Sequence, residues 1–237
     1  MTAIPRRLAG TTLALALALV SCLGAQPVAA VVTACPTTAL FLRGPTAYYP
    51  TASLDTSYTT YGGTYRASFD LVGGTIYVFR PIANFGMVEV TTGDLYDVEG
   101  LPAGTVVPVT VALDVNGHVE SANICGGTGC GATFDAQIIQ GTTVVEQTAR
   151  VGYYGSSDLV TTLQLPLSIT VGQPVELNFQ LFVSVGPGGD GYGGYGTGRI
   201  HFDGLPAGAH VVSCHGYASQ TVPALPTSWG RLKSIYR

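Results

Sequence analysis

Val175-Glu-Leu-Asn-Phe-Gln-Leu-Phe-Val-Ser-Val185 alternates strictly enough to decide the fold class. Val175, Leu177, Phe179, Leu181, Val183 and Val185 fall on one face; Glu176, Asn178, Gln180 and Ser184 fall on the other, with Phe182 the exception. Successive side chains of a strand point to opposite sides, so this pattern is a half-buried antiparallel strand with one wet face. Shorter runs of the same kind extend in both directions. Tyr65, Ala67, Phe69 and Leu71 alternate up to Gly73-Gly74, and Thr75–Arg80 follows, so the Gly pair predicts a hairpin turn. Met87–Thr91, Leu95–Val98, Val106–Leu113, Val119–Ile124, Thr133–Gln140, Val144–Val151, Leu159–Leu165, Gly198–Phe202 and His210–Cys214 are further short strands, giving about eleven in all. Asp114-Val115-Asn116-Gly117 predicts a second hairpin, because Asn-Gly tolerates the positive φ that tight turns need. Gly141 predicts another turn, and Pro108 assigns its strand to a sheet edge. No segment before the C-terminus carries a helical period. The fold class is all-β: an antiparallel β-sandwich, jelly-roll-like, with a short C-terminal helical tail.

Composition narrows the function classes. Of 237 residues, 46% are hydrophobic and only 10% charged, against about 25% charged in an ordinary soluble domain. Disorder needs the opposite balance. Ten basic against 14 acidic residues leave no cationic footprint for nucleic acid. Residues 1–30 read as a secretory signal: Arg6 and Arg7, an apolar run from Leu8 to Val20 too short to span a bilayer, and the small residues Val28-Ala29-Ala30. Leu19-Val20-Ser21-Cys22 offers a competing lipobox reading in which Cys22 is lipidated, but the following stretch is apolar where a tether is polar. Removal of residues 1–30 leaves 207 residues with a net charge of −6, and no transmembrane span is expected in that mature chain.

The division expected is a signal peptide (1–30), an extended N-terminal arm (31–62), a sandwich domain (63–217) and a Pro-containing linker with a basic, aromatic tail (218–237). Cys35, Cys125, Cys130 and Cys214 remain after export, an even number for an oxidising compartment. Of three pairings, Cys35–Cys214 with Cys125–Cys130 is preferred: the second pair closes the flexible Cys125-Gly-Gly-Thr-Gly-Cys130 loop, and the first ties the ends of the domain. A zinc site from Cys125, Cys130, His201, His210 and His215 is the lesser alternative, since the Cys pair has no matching second pair. No metal and no cofactor are called for.

Gly100-Leu-Pro-Ala-Gly104 recurs as Gly204-Leu-Pro-Ala-Gly208. The plain reading is two similar turns, with Pro setting φ and Gly taking the left-handed position. The block from Leu167 to Val185, the Gly-rich segment after it and Ile200 to Gly216 resemble exported bacterial β-sandwiches, and are similar to ectodomains of the PEP-CTERM type. The resemblance covers residues 64–217 and implies fold and location; that family has no agreed catalytic residues. The chain departs from it at its end, with neither a Pro-Glu-Pro motif nor a final membrane helix.

Candidate chemistry is sparse. Gly186–Gly198, with eight Gly, reads as a flexible connection or as a contact loop bearing Tyr192, Tyr195 and Asp190. It lacks the Lys and the helix of a phosphate loop. There is no Gly-x-Ser-x-Gly, and Ser213 and His215 share a strand face without a strained elbow. A glycosidase needs two opposed carboxylates; Asp94, Asp97 and Glu99 cluster in sequence while Asp135, Glu146 and Asp203 fall on separate expected strands, and nothing in their spacing opposes a pair. Sugar platforms need flat aromatic faces, and the candidates are Tyr48, Tyr49, Tyr58, Tyr61 and Tyr65, which crowd the N-terminal arm, and Tyr153 and Tyr154 near Gly155. In the tail, Thr227 or Ser228 can cap a short helix, and Trp229, Arg231, Lys233 and Arg237 form a candidate sorting tail. The function expected is a secreted or cell-surface, non-catalytic structural or adhesive protein, whose partners would be surface polysaccharide or another surface protein. A glycan-binding module using exposed Tyr is the alternative, and a secreted hydrolase ranks third.

Overall fold

The computed structural model describes residues 35–42, 46–60, 63–83, 86–121, 131–152, 154–186 and 191–219. Within them the chain forms β1 (Thr38–Leu42), β2 (Ala47–Tyr49), β3 (Ser53–Thr60), β4 (Gly63–Asp70), β5 (Thr75–Ala83), β6 (Gly86–Glu99) and β7 (Val106–Ser121). β8 (Ala132–Gln140), β9 (Thr143–Val151), β10 (Gly155–Thr170), β11 (Val175–Val185), β12 (Tyr192–Asp203) and β13 (His210–Ser213) follow. Among the described residues one sheet has the order β2-β1-β6-β11-β8-β9, with β13 also beside β6, and the other β10-β7-β12-β5-β4-β3. Every pairing is antiparallel. The molecule is a β-sandwich. No described helix is long and apolar enough to cross a membrane; the expected helical tail lies outside the described residues.

The alternation of β11 places Leu177, Phe179, Leu181 and Val183 in the core with no exposure. They meet Val111, Leu113, Ile76, Val78 and Ile200 from the opposite sheet. Each such side chain removed from water is worth about 1.5–3 kcal/mol. The hairpin at Gly73-Gly74 joins β4 to β5, and Asp70 fixes it by accepting the amides of Val72 and Gly73 at 3.1 Å each. Gly141, at φ 55°, turns β8 into β9.

Three features differ from the expectations. The Asn116-Gly117 hairpin is absent: β7 runs straight through it, paired with β10 from Val106 to Ser121. Gly117 lies instead beside Gly196 of β12, its partner in register, and the two form a hollow for the ring of Phe134. A Cβ at either position would overlap that ring. Second, Pro108 does not sit in an edge strand, since β7 lies between β10 and β12. β12 pairs with β7 only from Thr110 to Ser121, so on that side Pro108 has no neighbour to miss its N–H. Third, the expected extended arm contains β1, β2 and β3, the first two in one sheet and β3 in the other.

The two Gly-Leu-Pro-Ala-Gly turns are equivalent in structure. Their glycines all have positive φ, between 81° and 89°. In one, Thr105 N donates to Pro102 O at 3.2 Å; in the other, Ala209 N donates to Pro206 O at 3.0 Å. One carries the chain from β6 into the second sheet, the other from β12 back into the first. They are touching corners of the sandwich, since a Cβ on Gly100 would strike the Gly208 carbonyl.

Beneath those corners Tyr96 packs edge-on to Phe179 and Tyr217 and against Phe202. Its hydroxyl is buried with no hydrogen-bond partner among the described residues. Burial, with the Asp94 carboxylate nearby, holds its phenol well above the usual tyrosine range. The fold therefore favours the protonated phenol. Stability from this group is complete below about pH 10, where the unfolded chain's tyrosine is also protonated, and is lost as pH rises beyond it. Tyr96→Phe is expected to raise stability by about 1 kcal/mol at neutral pH, by removing an unsatisfied buried group, and to weaken the loss above pH 10. Urea unfolding at pH 7 and pH 10.5 measures both; a destabilised Tyr96→Phe would mean that the hydroxyl is satisfied.

Candidate functional site

The outer face of the β10-β7-β12-β5-β4-β3 sheet is built by β12, whose residues alternate glycine inward and functional side chain outward. Gly194, Gly196 and Gly198 are buried, while Tyr195, Thr197 and Arg199 are exposed. The cross-strand register sets a row Val160–Asn116–Thr197–Tyr77–Ser68 over five strands, about 19 Å at the usual strand spacing. On one side of it lie Thr162, Asp114, Arg199 and Thr75; on the other, Asp158, His118, Tyr195 and Phe79. The central row and its Thr162, Asp114, Arg199 and Thr75 flank line an open trough of about 700 Å³. It lies over the glycine-rich contact, where no inward side chain of β12 holds the sheets apart.

Two groups in and beside the trough are held rigidly. Asp114 accepts the Thr162 hydroxyl at 2.6 Å and faces His201 Nδ1 at 3.4 Å. His118 stacks on Tyr195 with ring centroids 5.4 Å apart, and its Nδ1 lies 2.6 Å from Asp158. Burial pushes the Tyr77 phenol up, with Arg66 opposing, so it stays a neutral donor. The side chains of Ser68, Thr75, Tyr77, Asn116 and Arg199 make no hydrogen bond or ion pair to a described residue.

The other sheet's outer face carries two hydrogen-bonded clusters. Thr91 donates to Glu89 at 2.9 Å, and the Gln180 amide reaches Glu89 at 2.7 Å and Thr91 at 3.2 Å. Thr148 donates to Asp135 at 2.5 Å; burial raises the Asp135 carboxyl and that bond lowers it. Those polar groups are spent on one another.

Of the residues singled out in the sequence, Tyr195 belongs to this face and is 40% exposed. Tyr192 is in the core, its hydroxyl donating to Gly152 O at 2.8 Å. It opens β12, so the segment read as a flexible Gly-rich connection is a strand from there onward. Tyr154 is exposed just before β10, away from the trough lining. Tyr153, Asp190, Cys22, Cys125, Cys130, Trp229, Arg231, Lys233 and Arg237 lie outside the described residues. Cys35 and Cys214 form a disulfide with their Cα atoms 5.6 Å apart.

The histidines proposed as zinc ligands are not together: His201 faces Asp114 and Asp203, His210 faces Glu99, and His215 faces Asp94. Among the described residues no three His, Cys, Asp or Glu side chains are grouped as a metal site. Ser213 and His215 do meet, but through Asp94, which is buried. Ser213 Oγ donates to Asp94 and accepts the Tyr217 amide at 3.1 Å. His215 Nδ1 stands 3.1 Å from Asp94, off the line of a hydrogen bond. A serine nucleophile must be bonded to the imidazole; here it is bonded to the carboxylate. Among the described residues Asp114 is the sole carboxylate in the trough lining, so no opposed pair of described carboxylates spans it. No family model and no curated protein matches this chain. A solved structure of the infectious bursal disease virus Gx strain is similar over 86% of this chain and 67% of its own, at 12% identity and a TM-score of 0.19.

Proposed function

We propose that this chain is a non-catalytic adhesive protein of the cell exterior that binds polysaccharide along the trough. The single observation behind this reading is the convergence of Ser68, Thr75, Tyr77, Asn116 and Arg199, five polar side chains without a hydrogen bond or ion pair to a described residue, around one depression. Sugar hydroxyls are both donors and acceptors. Arg199 supplies a donor, the Asn116 amide both a donor and an acceptor, and Ser68, Thr75 and Tyr77 hydroxyls of either sense. A depression about 19 Å long suits several consecutive sugar rings. The signal-like residues 1–30 and the Cys35–Cys214 disulfide support an exported location.

Retention of the protein on insoluble polysaccharides, read by depletion from solution, tests the proposal. Asn116→Ala should weaken binding about fivefold, the worth of one hydrogen bond, and Tyr77→Ala by more, with thermal unfolding little changed by Asn116→Ala. Binding unaffected by both changes would move the site elsewhere.

A further inference from the structure

The charges around the trough point to a class of sugar. Six carboxylates stand on this sheet's outer face, and each is already held. Asp55 is paired with Arg66, Nη2 to Oδ2, at 2.5 Å. Asp70 takes the amides of its own turn. Asp114 has Thr162 and His201, and Asp203 has the other nitrogen of His201 at 3.3 Å. Asp158 and Glu120 flank His118 at 2.6 and 3.9 Å. Arg66 is spent on Asp55. Arg199, by contrast, forms no ion pair with a described residue, although Asp114 is its register partner on β7. Thr162 and His201 occupy that carboxylate instead.

The trough thus contains one guanidinium that forms no ion pair with a described residue, beside the hydroxyl of Thr75 and two strands from Val160. A guanidinium presents a planar fork of donors that matches a carboxylate in two parallel bonds. Resting on the polysaccharide reading above, we infer that the trough selects acidic polysaccharide, with Arg199 engaging the carboxylate of a uronic acid residue. The sugar's hydroxyls then fall to Asn116, Thr75 and Ser68. Arg199 is a specificity residue for the ligand and has no part in the core, being exposed at the surface.

The test uses the intact secreted protein and three uronans (polygalacturonate, alginate and hyaluronate), each beside its carboxyl-reduced, neutral form, in affinity electrophoresis. The expected result is retardation by at least one uronan, with the reduced form at least tenfold weaker, as loss of one charge-assisted bidentate contact requires. Arg199→Gln should erase that difference, Arg199→Lys should restore part of it, and Arg150→Gln, on the opposite sheet, should leave it intact. Equal binding of acidic and neutral forms, or a bound uronan indifferent to Arg199→Gln, overturns the charge selection and leaves the polysaccharide reading standing. No retardation by any glycan of either charge overturns both.

Discussion

Phe134→Ala is expected to cost about 4 kcal/mol, in the upper range for a buried aromatic, and Gly196→Ala about 3 kcal/mol, at the high end for overpacking. The two effects have one origin. Phe134 has no exposed surface, and its ring lies where the side chains of Gly117 and Gly196 would otherwise be. Truncating the ring leaves a void between the sheets that strands on both sides would have to move to fill. Adding a methyl at Gly196 forces the ring out of place, because the overlapping atoms are those of a rigid ring. The double variant separates this account from a general intolerance of change. A methyl at Gly196 fits into the space that Phe134→Ala vacates, so the combined loss should fall short of the sum by more than 1 kcal/mol. Urea midpoints with unchanged slopes measure all three. Gly196→Ala within 0.5 kcal/mol of the parent, about the scatter of a surface change, would show that the sheets are not in close contact there.

That contact also explains which parts of the fold are legible in the sequence. Periodicity reports a strand's own two faces, and it located β11, the β4–β5 hairpin and the β8–β9 hairpin. Turn chemistry is local too, and the paired Gly-Leu-Pro-Ala-Gly corners are the turns their residues predict. Glycine is ambiguous. The same residue serves a tight turn and a close approach by a distant side chain, and at Gly117 and Gly196 the second use wins. Its cause, Phe134, is remote from both in sequence, so no local pattern distinguishes the two. The candidate site suffers more. Tyr195 was visible as an aromatic in an unusual segment, but Tyr77, Asn116 and Arg199 become neighbours only through the register of β5, β12 and β7. The alternation Tyr195, Thr197, Arg199 between glycines was the one local signal of a functional outer face. His201, His210 and His215, grouped by sequence, are separated because each faces a different carboxylate.

Breaking the Cys35–Cys214 disulfide, by reduction or by Cys35→Ser with Cys214→Ser, is expected to cost about 5 kcal/mol. The bridge spans 179 positions, and in the chain-entropy account a loop of that length restricts the unfolded ensemble by about that amount. Since a native domain is stable by about 5–15 kcal/mol, the loss approaches the whole margin. Its distribution over the structure should be uneven. On the Cys214 side, β13 keeps its ladder with β6, the Cys214 amide donates to Leu95 O at 3.0 Å, and Ser213 stays tied to buried Asp94. On the Cys35 side, β1 is joined to β6 by only four register pairs, Ala39 with Thr91 to Leu42 with Val88, and among the described residues β2 pairs with β1 alone. The entropy freed by reduction therefore acts on the weaker anchor. Amide exchange in β1 and β2 should accelerate most on reduction, with β13 and β11 retaining protection under conditions where the reduced protein is still folded. A reduced protein less than 1 kcal/mol weaker, with β1 exchange unchanged, would mean that Leu40 and the β1–β6 ladder hold the N-terminal strands by packing, and that the disulfide only records their proximity.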